Sequence, residues 1–370
     1  MKRIIYLTVL LLCFFSLSVT ALSAGVESEL ENSIDRDFFS SLDPEISRAL
    51  EENFLDTLDP DIIFSKGTDS IKSYFSETLI EKVKGCGVWF FTVLSILMLL
   101  SVFTSAFDFS SSGDVFSLLS AVVLSVVTIE KIGLLISCVV SAVNLNGKLM
   151  LCFVPVFTLL VSLSGNPASA LTYNSLVLLF GELMSSFIDG YFVGFIGAYF
   201  ALSIAFSFYG GINLNRFVNS VNRTVTFILG FLASMFTGFL SLKNIIAYST
   251  DSLSVKGVRF LISSMIPVIG TSLSDAYSTV LGSIHLMKGS LGAVGILAAV
   301  VINIPPLAEG AVYCFALSVL SGIAEMLGLV RASETLRCFS SCVRILLLVS
   351  VFQLFILIVS TGIMLALRGV

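Results

Sequence analysis

The sequence predicts an all-α fold: a polytopic helical membrane protein of eight or nine crossings, one of them broken or re-entrant, preceded by a short exported helical segment. Three observations predict it. Of the 370 residues, 56% are hydrophobic and only 12% are charged, against about 25% charged in an ordinary soluble domain, and mean hydropathy is +1.02. Apolar runs near the roughly 20 residues that a bilayer crossing needs recur along the chain. The charges are also segregated. Residues 25–84 carry 15 acidic and 6 basic side chains, a net of 6 − 15 = −9, whereas 85–370 carry 12 basic and 10 acidic. An acidic, water-facing segment thus precedes a nearly neutral apolar body, and nothing is basic enough to suggest nucleic acid.

Residues 1–24 predict a secretory signal peptide. Lys2 and Arg3 form a positive start, Ile4 to about Val19 an apolar stretch, and Val19-Thr20-Ala21 or Leu22-Ser23-Ala24 a small-residue cleavage site. Retention as a signal anchor is the alternative, and in either case residues 25–85 are expected outside. That segment predicts short amphipathic helices. Leu42-Asp43-Pro44 and Leu58-Asp59-Pro60 repeat one start signal, Asp to cap free N–H groups and Pro at the first helical position. Thr68 or Asp69 is expected to open a third helix, with Ile71, Phe75 and Leu79 on one side.

Residues 86–370 predict the multi-span domain. Its apolar stretches are Cys86–Phe107, Val115–Val143 (interrupted by Glu130-Lys131), Leu149–Leu163, Leu171–Ile188, Tyr191–Tyr209, Val225–Leu242, Leu291–Ile304, Ala311–Leu329 and Ile345–Leu367. The positive-inside rule places the loops bearing Arg216 and Arg223, and Arg331, Arg337 and Arg344, on the same inner side. That requires an odd number of crossings between Leu242 and Leu291.

The stretch between them, MIPVIGTSLSDAYSTVLG at 265–282, predicts helix, break, helix. Pro267 removes a backbone donor and disfavours helix at Ile266. Gly270, Thr271, Ser272 and Ser274 can satisfy freed backbone groups, and Ser274 or Asp275 can cap a new helix through Ala276 toward His285 and Lys288. Broken backbone at membrane depth is tolerated only where protein or water covers it, so this segment is expected to face inward.

Two stripes of small residues, Gly190, Gly194, Ala198 and Gly230, Ser234, Gly238, predict close helix packing, either within the chain or between subunits. Ionisable residues in apolar surroundings are costly and informative: Glu130, Lys131, Glu182, Asp189, Asp275, His285, Lys288, Glu309 and Glu325. Each alone reads first as an interfacial or structural group. No catalytic chemistry is expected: there is one histidine, His285, and no HExxH, P-loop or paired intramembrane aspartates. No cofactor is expected and no metal. Of seven cysteines none lies in 25–84, and Cys338 and Cys342, one helical turn apart, read as packing residues rather than half a metal site.

Across 256–295 the chain resembles the stage III sporulation protein AE family. The residues that carry the resemblance are Lys256-Gly257-Val258-Arg259-Phe260, Ile266-Pro267-Val268-Ile269-Gly270, Ser274-Asp275-Ala276, and Lys288 with Gly292 and Gly295. The layout of signal peptide, exported helical segment and multi-span body matches as well. Gly289 departs from the family pattern, which often has Asn there. The resemblance implies a non-enzymatic membrane subunit of the complex linking mother cell and forespore, in the mother-cell membrane around the forespore. That complex resembles a specialised secretion apparatus serving as a conduit, powered by a separate ATPase. Implied partners are the complex's other membrane subunits, the lipid bilayer and further copies of the chain, with pore formation as one role. The competing expectation is a secondary transporter or permease for a small solute, since broken helices beside polar groups also build transporter sites.

Overall fold

The computed structural model describes residues 60–106, 113–208, 214–265 and 270–366. The signal peptide and the helix expected after Asp43-Pro44 lie outside the described residues. Among the described residues seven α-helices follow in order: α1 (Pro60–Ala106), α2 (Gly113–Leu163), α3 (Pro167–Phe187), α4 (Val193–Phe208), α5 (Leu214–Met265), α6 (Gly270–Met326) and α7 (Val330–Ala366), with a π-helical turn at Ile188–Phe192 between α3 and α4. Among the described residues there is no strand. Five helices are long and apolar enough to cross a membrane: α1, α2, α5, α6 and α7.

Helix ends follow the sequence more closely than helix counts do. α1 begins at Pro60 and α2 ends at Leu163, where the start signal and the end of an apolar stretch were expected. Two tight turns close helices in the same way. After α2, Gly165 takes φ +91° while Asn166 N–H donates to the Val161 carbonyl and Gly165 N–H to Ser162. After α6, Gly328 takes φ +77° while Leu329 N–H donates to Ala324 and Gly328 N–H to Glu325. Both are left-handed glycine caps that satisfy the last free carbonyls of their helix.

Several expected breaks do not occur. α2 runs 51 residues through Glu130-Lys131 and joins two predicted stretches. α6 runs 57 residues through Pro305 and Pro306 and joins two more, and the π turn makes α3 and α4 one helical path. A continuous helix crosses a bilayer once, so the eight or nine apolar stretches are not eight or nine separate crossing helices. The physical reason is that backbone without a helical partner is costly in apolar surroundings. A proline then removes one donor without ending the helix. α1 likewise carries both the expected start at Thr68 or Asp69 and the boundary drawn at residue 85 without interruption.

Paired contacts fix the directions. Lys82 meets Glu309 and Trp89 meets Tyr313, so α1 runs parallel to α6. Phe153 lies against Gly295 and Asn146 against Asn303, so α2 is antiparallel to α6. α7 is antiparallel as well, because Gly292 faces Leu365 and Gly310 faces Leu347, the same number of residues down one helix as up the other. α3 turns back along α2 through Phe157–Tyr173, and α5 turns back along α3 through Phe180–Phe236. α5 and α7 therefore start at the same end of the bundle. Tyr199 stacks on Phe217 while neighbouring Phe200 meets Phe339, which sets those starts at one level. Five of the described arginines lie toward that end, Arg216 and Arg223 on α5 and Arg331, Arg337 and Arg344 on α7, while Arg259, near the last turns of α5, lies toward the other. Pro60, where α1 begins, lies toward the other.

Candidate functional site

α6 is the inner helix. Of its most apolar window 78% is buried, with α1, α2 and α7 packed around it. Its surface is made of small and polar residues at helical spacing, each matched by a large or polar partner. A Cβ on Gly292 would lie 2.6 Å from Leu365 Cδ2, and one on Gly310 2.6 Å from Leu347 Cδ2. One on Gly295 would overlap the Phe153 ring, which is fully buried and stacked on Phe157 at 5.2 Å. The glycines let three flanking side chains reach the α6 backbone, the arrangement by which helices approach closely in lipid.

Lys288, one turn before Gly292, is buried and its Nζ donates to the Met364 carbonyl at 3.4 Å. Met364 is in the last turn of α7, where carbonyls lack helical partners and a cation is favoured. Lys288, Gly292 and Gly295 of the motif thus fasten one end of α6 to the end of α7 and the middle of α2.

Farther along, Asn303 Nδ2 donates to Asn146 Oδ1 at 3.3 Å and to its own helix at Ala299 O at 2.7 Å. Both asparagines are fully enclosed. Asn146 Nδ2 and Asn303 Oδ1 have no protein partner, which makes this a polar spot deep between α2 and α6. Two turns on, Glu309 pairs with Lys82 at 2.9 Å, and Trp89 Nε1 donates to Val127 O at 3.4 Å where α1 passes α2. At the arginine end Glu325 pairs with Arg337.

A buried carboxylate holds the outer helices. Asp251 of α5 is 1% exposed and accepts from Ala168 N–H at 2.9 Å, Ser169 N–H at 3.0 Å and Ser169 Oγ–H at 2.8 Å. Pro167 needs no partner as the first residue of α3, so a residue more than 80 positions away caps the next two amides. Sequence reasoning missed Asp251. Its partners are remote in the chain, and one aspartate among serines and threonines carries no local signal. It also passed over Asn146 and Asn303, although an asparagine inside the run Val300–Ile304 is an unusual residue there and was a usable signal.

The remaining motif residues stand apart from this set. Pro267 lies outside the described residues, with α5 ending at Met265 and α6 starting at Gly270 on either side of it. Lys256 and Gly257 are in α5, and Gly270, Ser274, Asp275 and Ala276 in α6, with side chains outside the described residues. α6 starts earlier than the cap expected at Ser274 or Asp275, which are helical. The two small-residue stripes are exposed, and a Cβ on Gly190, Gly194, Gly230 or Gly238 meets nothing within 4 Å. Among the described residues nothing fills the space beside those glycines. α4 and α5 instead use their bulky faces, through Ile196, Tyr199 and Phe200, and Leu229, Phe236 and Leu240. Cys338 and Cys342 are buried in α7.

A helical protein with an inner helix of this kind, and with five helices among the described residues long and apolar enough to cross a membrane, has the build of a polytopic helical membrane protein. The comparisons narrow the class. Residues 51–367 match the family model described as Stage III sporulation protein AE (spore_III_AE), most of the chain, and the chain belongs to that family. It is similar to the Stage III sporulation protein AE of Bacillus subtilis (strain 168), 22% identical over 211 residues, 55% of this chain and 53% of the relative. The match spans about half the length of that relative. No solved structure matches the chain.

Proposed function

We propose that this sporulation protein is a non-enzymatic membrane subunit of the complex joining mother cell and forespore, and that it borders a conduit only by assembling with other subunits or further copies of itself. The observation that carries this is the contrast between a filled centre and open outer faces. Phe153, Leu347 and Leu365 occupy the space that glycines leave on α6, so the inner helix is close-packed at these three positions. Close-approach faces at Gly190 and Gly194, and Gly230 and Gly238, are left for neighbours. The orientation that the proposal needs has the arginine-bearing starts of α5 and α7 on the cytoplasmic side. Residues before Pro60 then emerge on the other side, in keeping with an exported acidic segment.

A transporter for a small solute would need its ionisable groups to converge on one cavity. Lys288, Glu309 and Asp251 instead engage separate partners, Met364, Lys82 and the start of α3, which favours the subunit reading. Deleting the gene in its sporulating host tests it: forespore development is expected to stop while vegetative growth continues. Normal spores from the deletion strain would overturn the proposal. Solute uptake by the purified chain alone in liposomes would replace it with the transporter.

A further inference from the structure

An apolar groove of about 580 Å³ opens between the α3–π–α4 path and α5, with α7 as its floor. Its walls are aromatic on one side, Phe187, Phe192 and Phe195, and on the other follow α5 from Phe217 to Leu232. The π turn is what builds the first wall. Its extra residue per turn shifts the register between α3 and α4, and Phe187 and Phe192 come within 6.2 Å of each other on the groove side. Along α5 the groove extends about 22 Å at 1.5 Å per residue. One leaflet with its headgroup region is about half of the 40–45 Å bilayer, so the length matches one lipid standing in one leaflet.

The two ends of the groove differ. Its only polar lining is Ser220 and Thr224, in the part of α5 nearest the helix start. Arg216 and Arg223 are both exposed and, at four and three residues from Ser220, neighbour it on the helix surface. The deep end, by Phe180 and Leu232, is apolar. A polar, doubly cationic mouth above an apolar trough is the complement of an anionic headgroup above an acyl chain. A second copy of this chain seated there in the same orientation would bring its own arginines to that level and meet like charge. An anionic phosphate can pair with both arginines and neutralises one of their two charges. Basic sites between transmembrane helices on the cytoplasmic side are where such headgroups bind.

We infer that this groove is a binding site for one anionic phospholipid of the surrounding bilayer, its acyl chain against Phe192 and Phe195 and its phosphate between Arg216 and Arg223. The test is native mass spectrometry of the full chain in a mild detergent, titrated with phosphatidylglycerol or phosphatidylcholine of identical acyl chains. The wild-type chain is expected to retain one phosphatidylglycerol in preference to phosphatidylcholine. The R216Q/R223Q variant should lose roughly thirtyfold of the phosphatidylglycerol affinity, the effect of two basic side chains near an anionic headgroup, and R216K/R223K should keep most of it. Thr224→Trp, at an exposed position on the groove wall, should expel both lipids without touching the arginines. Equal retention of the two lipids by the wild-type chain would overturn the inference. So would undiminished phosphatidylglycerol binding in R216Q/R223Q or in Thr224→Trp. A dimer that Thr224→Trp abolishes would make the groove a subunit interface instead.

Discussion

The most apolar windows of α5 and α6 are about equally apolar, and both helices carry glycines at helical spacing, yet 78% of that window is buried in α6 and only 17% in α5. The difference is in what stands opposite. Each of Gly292, Gly295 and Gly310 has a large side chain from α2 or α7 at matching height, whereas nothing approaches Gly230 or Gly238. A small residue permits contact but does not create it. In a bilayer, where lipid is as apolar as leucine, the second condition is a partner whose bulk fills the notch. The comparison divides the molecule into an interior that is already complete and an exterior still able to accept neighbours.

The sharpest way to break that division is Gly295→Ala. The new methyl overlaps the Phe153 ring, which is held by Phe157 and cannot swing out. The expected cost is about 3 kcal/mol, at the upper end of overpacking, read as a lower unfolding temperature of the full chain in detergent. Adding Phe153→Leu should return a large part of that loss, because the two changes share one contact. If Gly295→Ala left stability unchanged, α6 would not be the close-packed centre described.

Asp251→Ala comes next and tests the outer helices. It leaves two amides and a hydroxyl at the start of α3 without their acceptor, which should cost about 2 kcal/mol. Asp251→Asn keeps an acceptor oxygen and should cost about half as much. Hydrogen exchange at Ala168 and Ser169 would rise in both variants while exchange along α6 stays slow. Uniformly faster exchange would mean that Asp251 supports the whole bundle and not one joint.

What the sequence made legible was local, and what it hid was remote. Pro60 marks a helix start through its own chemistry, and the apolar run that closes at Leu163 marks a helix end. Lys288, Gly292 and Gly295 stand out through the family resemblance, although nothing local says that Met364, Leu365 and Phe153 would receive them. Pro305-Pro306 and Glu130-Lys131 both fall inside continuous helices. In water a proline pair favours a helix end, but inside a bundle the alternative to helix is unpaired backbone, and the helix persists. Glu and Lys interrupt an apolar run without weakening a helix. Asp251 was invisible because its meaning depends entirely on the start of α3, and the small-residue stripes left open a partner within the chain or in another subunit because spacing does not specify one.

The smallest effect separates the two regions by sign. At Gly238, exposed and with open space beside it, alanine has no contact to disturb. It removes the excess backbone freedom of glycine in a helix, so Gly238→Ala should stabilise the isolated chain by up to about 1 kcal/mol, where the same exchange at Gly295 destabilises it. A bulkier Gly238→Leu should also leave the isolated chain folded. Its effect should appear only among partners, as reduced recovery of neighbouring subunits or of tagged second copies from sporulating cells. Loss of stability in the isolated chain would show that this face is packed after all. Full recovery of partners with Gly238→Leu and with Gly194→Leu would free both stripes from any part in assembly.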